Sequence, residues 1–154
     1  MTTVHLIRHA SAGSRSHWHD DDELRPLTDK GRRQAKALAA VVNDGTVMRI
    51  MSSEFVRCIE TLAPLADATG LQTEIHDALR EGASLTDTMK LIEAEHSGTT
   101  VICSHGDVIG GVIDHLARAG VDIDPHGGLQ KASRWILDVR SGSVLSATYV
   151  APPA

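Results

Sequence analysis

The sequence predicts an α/β fold, namely a three-layer α/β/α sandwich with a mainly parallel sheet and a C-terminal antiparallel hairpin. Short apolar runs alternate with helical patterns through most of the chain, an order typical of parallel sheets covered by helices on both faces. Near the C-terminus, two apolar runs instead flank Ser141 and Gly142, which indicates a closing hairpin. No internal repeat or linker divides the sequence. We therefore expect a single domain over residues 1–154.

The predicted strands are short runs rich in β-branched and other apolar residues, bounded by polar or turn-forming residues. The first four lie at residues 4–7, 47–51, 72–75 and 99–103, of which the third has the weakest pattern and the fourth the clearest. The hairpin strands lie at residues 135–139 and 144–150.

The predicted helices are amphipathic stretches placed between these strands, with recognisable start and stop residues. The first covers residues 34–43 and follows a Thr28 to Gly31 cap, and the second runs from a Ser52-Ser53 cap through Ala68 to Gly70. The third runs from Ser84 through about Glu95, and the fourth covers residues 108–119 and stops at Gly120.

Composition restricts the class of partner. The chain has 154 residues, of which 42% are hydrophobic and only 3% aromatic, so Ala, Val, Leu and Ile must build the core. A formal net charge of −5 argues against duplex nucleic acid or an anionic membrane as a partner. The chain start lacks the pattern of a signal peptide, and Cys58 and Cys103 lack metal-ligand spacing. We therefore expect a cytoplasmic protein with two free thiols.

Polar side chains gather where the predicted parallel strands end. Arg8 and His9 end the first strand, Arg57 lies just after the second, Glu81 follows the third, and His105 follows the fourth. The carboxyl ends of parallel strands meet at one edge of a sheet, where ligands bind. A neutral imidazole is a good nucleophile towards phosphorus, and arginine binds phosphate oxygens in bidentate fashion. The pattern therefore favours phosphoryl transfer.

These residues lie in motifs that resemble those of the histidine phosphatase superfamily, also called the phosphoglycerate mutase-like family. The resemblance runs from Val4 to about Leu116 and includes Leu6-Ile7-Arg8-His9-Ala10, Ser52-Ser53 through Arg57 to Thr61, and Ser104-His105-Gly106. It implies that His9 is the phosphorylated nucleophile. It also implies that Arg8, Arg57, His105 and Gly106 bind the phosphoryl group.

The resemblance leaves the proton donor open. In the family the acid lies near Glu81, which is our first choice, and Asp107 is the alternative because another branch uses an acid just after the second histidine. Arg15 is a candidate for a further positive charge in the pocket. The family chemistry needs no metal or other cofactor, so we expect the His17 to Asp22 stretch to be a solvated, mobile loop beside the pocket rather than a metal site.

The short length is similar to the SixA-like phosphohistidine phosphatases within this superfamily. The resemblance implies a hydrolase for phosphomonoesters or protein phosphohistidine, whose partner is a phosphorylated small molecule, a nucleotide among them, or a phosphohistidine protein. A phosphate-binding regulatory module without turnover and a mutase are the alternatives. The sequence leaves the physiological substrate and the oligomeric state open.

Overall fold

The fold is described from a computed structural model that covers residues 2–94, 96–125 and 128–153. Within these residues seven strands form one sheet in the order β3-β2-β4-β1-β6-β7-β5. The strands are β1 (Thr2–Arg8), β2 (Val47–Ser52), β3 (Thr73–Ile75), β4 (Thr99–Ser104), β5 (Asp122–Asp124), β6 (Arg134–Arg140) and β7 (Ser143–Val150). Only β6 runs against the others within this described sheet, since it pairs antiparallel with both β1 and β7. The predicted fold class, including the closing hairpin, is confirmed.

The helices of the described chain cover both faces of the sheet. They are α1 (Asp29–Val42), α2 (Val56–Thr69), α3 (Leu85–Glu93) and α4 (Gly106–Arg118). The helices α1 and α2 pack together on one face and α3 and α4 on the other, which gives the three predicted layers. None of the helices in the described part of the chain combines the length and apolarity needed to cross a bilayer.

Successive side chains along the central strands point to opposite faces of the sheet and so belong to two separate hydrophobic cores. Leu6 of β1 packs with α3 and α4, whereas the next residue, Ile7, packs with α1 and α2. Met51 and Ile50 divide in the same way on β2. Because successive side chains of a strand point to opposite faces, a strand that is buried on both sides has apolar residues at successive positions. This explains the continuous apolar runs in the sequence.

The structure places some helix ends differently from the sequence prediction. Thr28 caps α1 as expected, and its hydroxyl accepts a hydrogen bond from the N–H of Gly31 at 3.1 Å. The predicted Ser52-Ser53 cap is wrong, because α2 begins three residues later, at Val56, without a side-chain cap. The hydroxyl of Ser53 contacts His105 instead.

Two further boundaries differ. The helix α3 ends at Glu93, and Glu95, its predicted end, lies outside the described residues. The helix α4 begins at Gly106, two residues before the predicted start, because the chain turns directly from His105 into the helix. The short strand β5 was not predicted. It pairs in parallel with the edge of β7 over three residues only, too few for a period of two to be recognised.

Gly31, at the start of α1, permits this helix to pack closely against the loop between β1 and α1. A Cβ atom at Gly31 would overlap the carbonyl oxygen of Ser11, which is itself bound by the N–H of Thr28 at 3.0 Å. In contrast, a Cβ atom at Gly111 in α4 would meet no atom within 4 Å.

We therefore predict opposite effects of two glycine-to-alanine substitutions. Gly31→Ala should lower the free energy of unfolding by about 1–3 kcal/mol, because the loop must move away from α1. Gly111→Ala should raise it by roughly 0.5–1 kcal/mol, because alanine favours the helical state. Urea denaturation followed by circular dichroism measures both. An unchanged midpoint for Gly31→Ala would show that the contact between α1 and the first loop is not close in solution.

Candidate active site

A cavity of about 450 Å³ opens at the carboxyl edge of the sheet, beyond the ends of β1, β2 and β4. It brings together every side chain predicted for the site from sequence, together with further residues. The lining consists of Arg8, His9, Gly13, Arg15, Arg25, Arg57, Glu81, His105, Gly106, Asp107, Leu129 and Lys131. The reason is topological, because parallel neighbouring strands release their following segments at the same edge.

His9 follows the last residue of β1 and is held by its backbone and its ring. Its N–H donates to the carbonyl oxygen of Ser104 at 3.1 Å, and its Nδ1 lies 2.9 Å from the carbonyl oxygen of Ala10. A carbonyl oxygen only accepts hydrogen bonds, so this contact places the proton on Nδ1 and leaves Nε2 with a free lone pair.

The surroundings of His9 keep its ring neutral. Burial is the main cause that lowers its pKa to about 3; the hydrogen bond to Ala10 acts in the opposite direction, and the charges of Arg57, His105 and Arg8 lower the pKa further. A ring with this pKa is uncharged at neutral pH. His9 therefore has the protonation state and the tautomer that nucleophilic attack through Nε2 requires.

Arg8 lies against the start of α4. Its Nη1 donates to the carbonyl oxygen of Leu129 at 2.7 Å. A Cβ atom at Gly106 would come within 3.0 Å of the Cζ atom of Arg8. Glycine at position 106 therefore provides the space in which the guanidinium lies, a packing role for the residue that the sequence motif assigned to phosphate binding.

Arg57 is a buried cation whose charge is balanced by the first loop. Its side chain is 1% exposed. Its Nη1 donates to the backbone oxygen of Asp22 at 2.9 Å, and its Nη2 donates to the Asp22 carboxylate at 3.1 Å. The same nitrogen lies 3.7 Å from Glu81. A buried charge without such partners would be strongly destabilising, so Asp22 keeps Arg57 in the cavity.

Asp22 also binds other arginines of the loop. Its carboxylate accepts from Nε of Arg25 at 3.0 Å and lies 3.5 Å from Nε of Arg15. Burial acts to raise the pKa of Asp22, but the hydrogen bond from Arg25 and the charges of Arg57, Arg25 and Arg15 lower it below its ordinary value. The expectation of a solvated loop over His17 to Asp22 is therefore wrong for Asp22, which is turned towards the cavity. Among the described residues no group of three or more His, Cys, Asp or Glu side chains has the arrangement of a metal site.

His105 is the second buried histidine of the cavity, with its ring centroid 5.6 Å from that of His9. Its Nε2 lies 2.9 Å from the hydroxyl of Ser53 and 3.6 Å from the thiol of Cys58. Ser53 in turn accepts from the N–H of Phe55 at 3.2 Å. When the Ser53 hydroxyl donates to Nε2 of His105, the ring proton of His105 lies on Nδ1.

The two candidate acids lie side by side at the rim. The Oε1 atom of Glu81 accepts from Arg15 at 2.9 Å and lies near the buried Arg57. Asp107 is exposed, and its Oδ2 accepts from the N–H of Gly82 at 2.8 Å. Arg15 is 64% exposed but lines the cavity, as predicted, and its ion pair with Glu81 positions that carboxylate.

The sequence prediction missed three charged residues of the site: Asp22, Arg25 and Lys131. Asp22 and Arg25 lie in a loop without regular pattern, so their convergence on Arg57 could not be read from spacing. Lys131 precedes β6. Because β6 runs antiparallel to β1, the segment before β6 starts at the same edge of the sheet at which β1 ends.

Comparison with known proteins agrees with this geometry. An 8-oxo-(d)GTP phosphatase of Mycolicibacterium smegmatis is 34% identical over 156 residues, which cover 98% of this chain and 48% of that protein. The chain thus spans about half the length of this curated relative.

Solved structures share the fold across almost the whole chain. The protein histidine phosphatase SixA complexed with tungstate has a TM-score of 0.78 and 18% identity, and covers 99% of this chain and 97% of its own. A mycobacterial glucosyl-3-phosphoglycerate phosphatase complexed with VO3 has a TM-score of 0.74 and 18% identity, and covers 100% of both chains. The family model of the histidine phosphatase superfamily (branch 1) matches residues 4–86, which is more than half of the sequence and includes His9 and Arg57. The chain therefore belongs to the histidine phosphatase superfamily.

Proposed function

We propose that this chain is a phosphatase that hydrolyses phosphomonoesters or protein phosphohistidine through a covalent phospho-His9 intermediate. One observation carries the proposal: His9 is neutral, its proton is held on Nδ1 by Ala10, and its Nε2 is free in a cavity that also contains Arg8, Arg57 and His105. These groups supply a nucleophile and the positive charge that phosphoryl transfer requires.

Polar atoms around the cavity support an anionic ligand. Within the described part of the chain, Nε of Arg8, Nε of Arg57 and Nδ1 of His105 are buried without a hydrogen-bond partner. Buried donors without partners are costly in free energy, and the oxygens of a phosphoryl group would satisfy such donors. The SixA structure with tungstate and the mycobacterial phosphatase with VO3 are relatives of the same fold solved with oxyanions.

In the first chemical step, Nε2 of His9 attacks phosphorus, and the bond from phosphorus to the leaving atom breaks. The leaving atom is the ester oxygen of a phosphomonoester or the ring nitrogen of a phosphohistidine. Glu81, which has to carry a proton in this step, gives it to the leaving oxygen or nitrogen, so the alcohol or imidazole leaves without charge. Arg8, Arg57 and His105 stabilise the negative charge on the non-bridging oxygens of the transferring group. Arg57 does so from a fixed position, because Asp22 already holds its guanidinium.

In the second step, water attacks the phosphorus of phospho-His9 and the bond between phosphorus and Nε2 breaks. The Glu81 carboxylate takes a proton from the attacking water, which restores the acid for the next cycle. Inorganic phosphate then leaves. Glu81 is preferred to Asp107 for this role because it lies 3.7 Å from Arg57, next to the proposed phosphoryl position, whereas Asp107 is engaged with the backbone of Gly82.

We predict that the parent chain gains the mass of one phosphoryl group after brief mixing with 4-nitrophenyl phosphate and alkaline quenching, as measured by intact-mass spectrometry. His9→Ala should show no adduct and no phosphate release, because the nucleophile is gone. His115→Ala is the matched control, since His115 is exposed on α4 and outside the cavity lining, and should behave as the parent. Undiminished phosphate release by His9→Ala would refute the mechanism, and tight phosphate binding without turnover in the parent would favour a regulatory module.

The role of Glu81 is tested by the choice of leaving group. Glu81→Gln should lower kcat by roughly 10²- to 10⁴-fold with an alkyl phosphate, whose leaving oxygen needs a proton. The loss should be much smaller with 4-nitrophenyl phosphate, whose leaving group departs as an anion. Asp107→Asn should lower kcat only slightly with both substrates. If Asp107→Asn instead gives the loss that depends on the leaving group, then Asp107 is the acid.

The lowered pKa of His9 predicts a ring that stays neutral well below neutral pH. Its ring signals in ¹⁵N-labelled protein should not move between about pH 8 and pH 4, and the signals lost in His9→Ala assign them. Unfolded histidine gains its proton near pH 6.5, so His9 contributes stability that is present above that pH and is lost as the pH falls towards about 3. Titration of the His9 signals near pH 6.5 would contradict the buried, neutral state.

A further inference from the structure

The cations that line the cavity divide into two groups by their partners. Arg25 and Arg57 bind Asp22, and Arg15 binds both Glu81 and Asp22. In the described part of the chain, Arg8 and Lys131 have no carboxylate within ion-pair distance, although both line the cavity. The positive charge on the side of the cavity formed by Arg8 and Lys131 is therefore not balanced by any carboxylate among the described residues.

The backbone fixes Lys131 close to the reacting centre. The next residue, Ala132, donates its N–H to the carbonyl oxygens of Arg8 at 3.1 Å and His9 at 3.2 Å. The N–H of Arg8 donates to the carbonyl oxygen of Ser133 at 3.1 Å, and its side chain binds Leu129. The turn that carries Lys131 is thus joined on both sides to the residues at the end of β1. A loop attached in this way holds the backbone of Lys131 in a defined position relative to His9.

The charged groups that act on the Lys131 amine are all positive. Burial is the first cause that lowers the pKa of its amine, followed by the charges of Arg8, Arg25, Arg57 and Lys30. Each of these neighbours is positive. Like charges brought together destabilise one another, and a bound anion relieves this repulsion.

The number of cations exceeds what the transferred group uses. In the proposed mechanism the scissile phosphoryl group is bound by Arg8, Arg57 and His105, so Lys131 remains. The cavity of about 450 Å³ has the size of a small-molecule site rather than of a single phosphoryl group. A lysine held at the wall of such a cavity is suited to a second anionic group on the same substrate, because its ammonium acts as a point charge.

We propose that Lys131 is a specificity-determining residue that binds a second negatively charged group, a phosphate or a carboxylate, on the leaving-group side of the substrate. The preferred substrates are then phosphomonoesters that carry another anionic group close to the scissile phosphate. This inference rests on the proposed phosphatase function, because that function defines which part of the substrate leaves.

Three substrates with a three-carbon leaving group test the inference. Glycerol 3-phosphate has a neutral remainder, 3-phosphoglycerate has a carboxylate, and glycerol 1,3-bisphosphate has a second phosphate. Lys131→Met should raise KM by about 10-fold for at least one doubly charged substrate while leaving kcat and the KM for glycerol 3-phosphate nearly unchanged. The substrate with the larger loss identifies the second group as phosphate or carboxylate.

Two variants control for charge and geometry. Lys131→Arg should keep most of the preference, because it keeps the positive charge. Lys90→Met removes the same charge from an exposed position on α3 outside the cavity and should leave all three KM values as in the parent. An equal loss for all three substrates in Lys131→Met, or no loss for any, would overturn the inference.

A binding measurement separates this inference from the proposed function. By titration calorimetry, the parent should bind pyrophosphate more tightly than inorganic phosphate, and Lys131→Met should lose that preference. If no ester is turned over but the Lys131-dependent preference is found, the phosphatase proposal fails and the second anion site stands. If turnover and the His9 adduct are normal but Lys131→Met keeps the pyrophosphate preference, the second anion site fails and the phosphatase proposal stands.

Discussion

The central position of β1 is the constraint on which the candidate site depends. This strand is paired with β4 on one side and β6 on the other, so the backbone at its carboxyl end is hydrogen-bonded to both neighbours. His9 binds Ser104 at the end of β4, and Arg8 binds the segment before β6. As a result the proposed nucleophile lies at the end of a strand whose backbone is hydrogen-bonded on both sides. His105 follows β4, and Lys131 precedes β6. Both residues therefore lie beside His9 because β4 and β6 are the strands that pair with β1.

A second requirement is the balance of buried charge. Arg57 is almost fully buried and would be strongly destabilising alone. The segment between β1 and α1 supplies Asp22, and the segment between β3 and α3 supplies Glu81. The Arg57 guanidinium is therefore held in place without a ligand. The positive charge is therefore uneven across the cavity: carboxylates lie beside Arg15, Arg25 and Arg57, whereas no carboxylate of the described chain pairs with Arg8 or Lys131. Such an uneven distribution of charge orients an anionic substrate as well as attracting it. An overall acidic chain can therefore have a cationic cavity.

Sequence reasoning located the strand ends well, and for a physical reason. Strands buried on both faces of a parallel sheet are mostly apolar, so a polar pair such as Arg8 and His9 after an apolar run marks the point where the strand ends. The same reasoning placed Arg57, Glu81 and His105 at one edge, and the structure brings all of them to one cavity. It failed at Ser53. The Ser53 hydroxyl contacts His105, 52 residues away, and Phe55, and it does not cap the helix α2. A serine that caps the next helix and a serine that binds a distant residue cannot be distinguished from the sequence alone.

The sequence by itself determined the order of elements, the chemistry of the candidate nucleophile and its cationic neighbours, and the edge of the sheet at which they gather, because these follow from local apolar patterns and from the geometry of parallel strands. Only the tertiary structure decided the tautomer of His9 and the ion pairs of Asp22 with Arg15, Arg25 and Arg57. It also decided that the segment carrying Lys131 lies beside Arg8. Those features depend on contacts between residues far apart in the chain and on burial, which changes the free energy of a charge without any change in the residue itself.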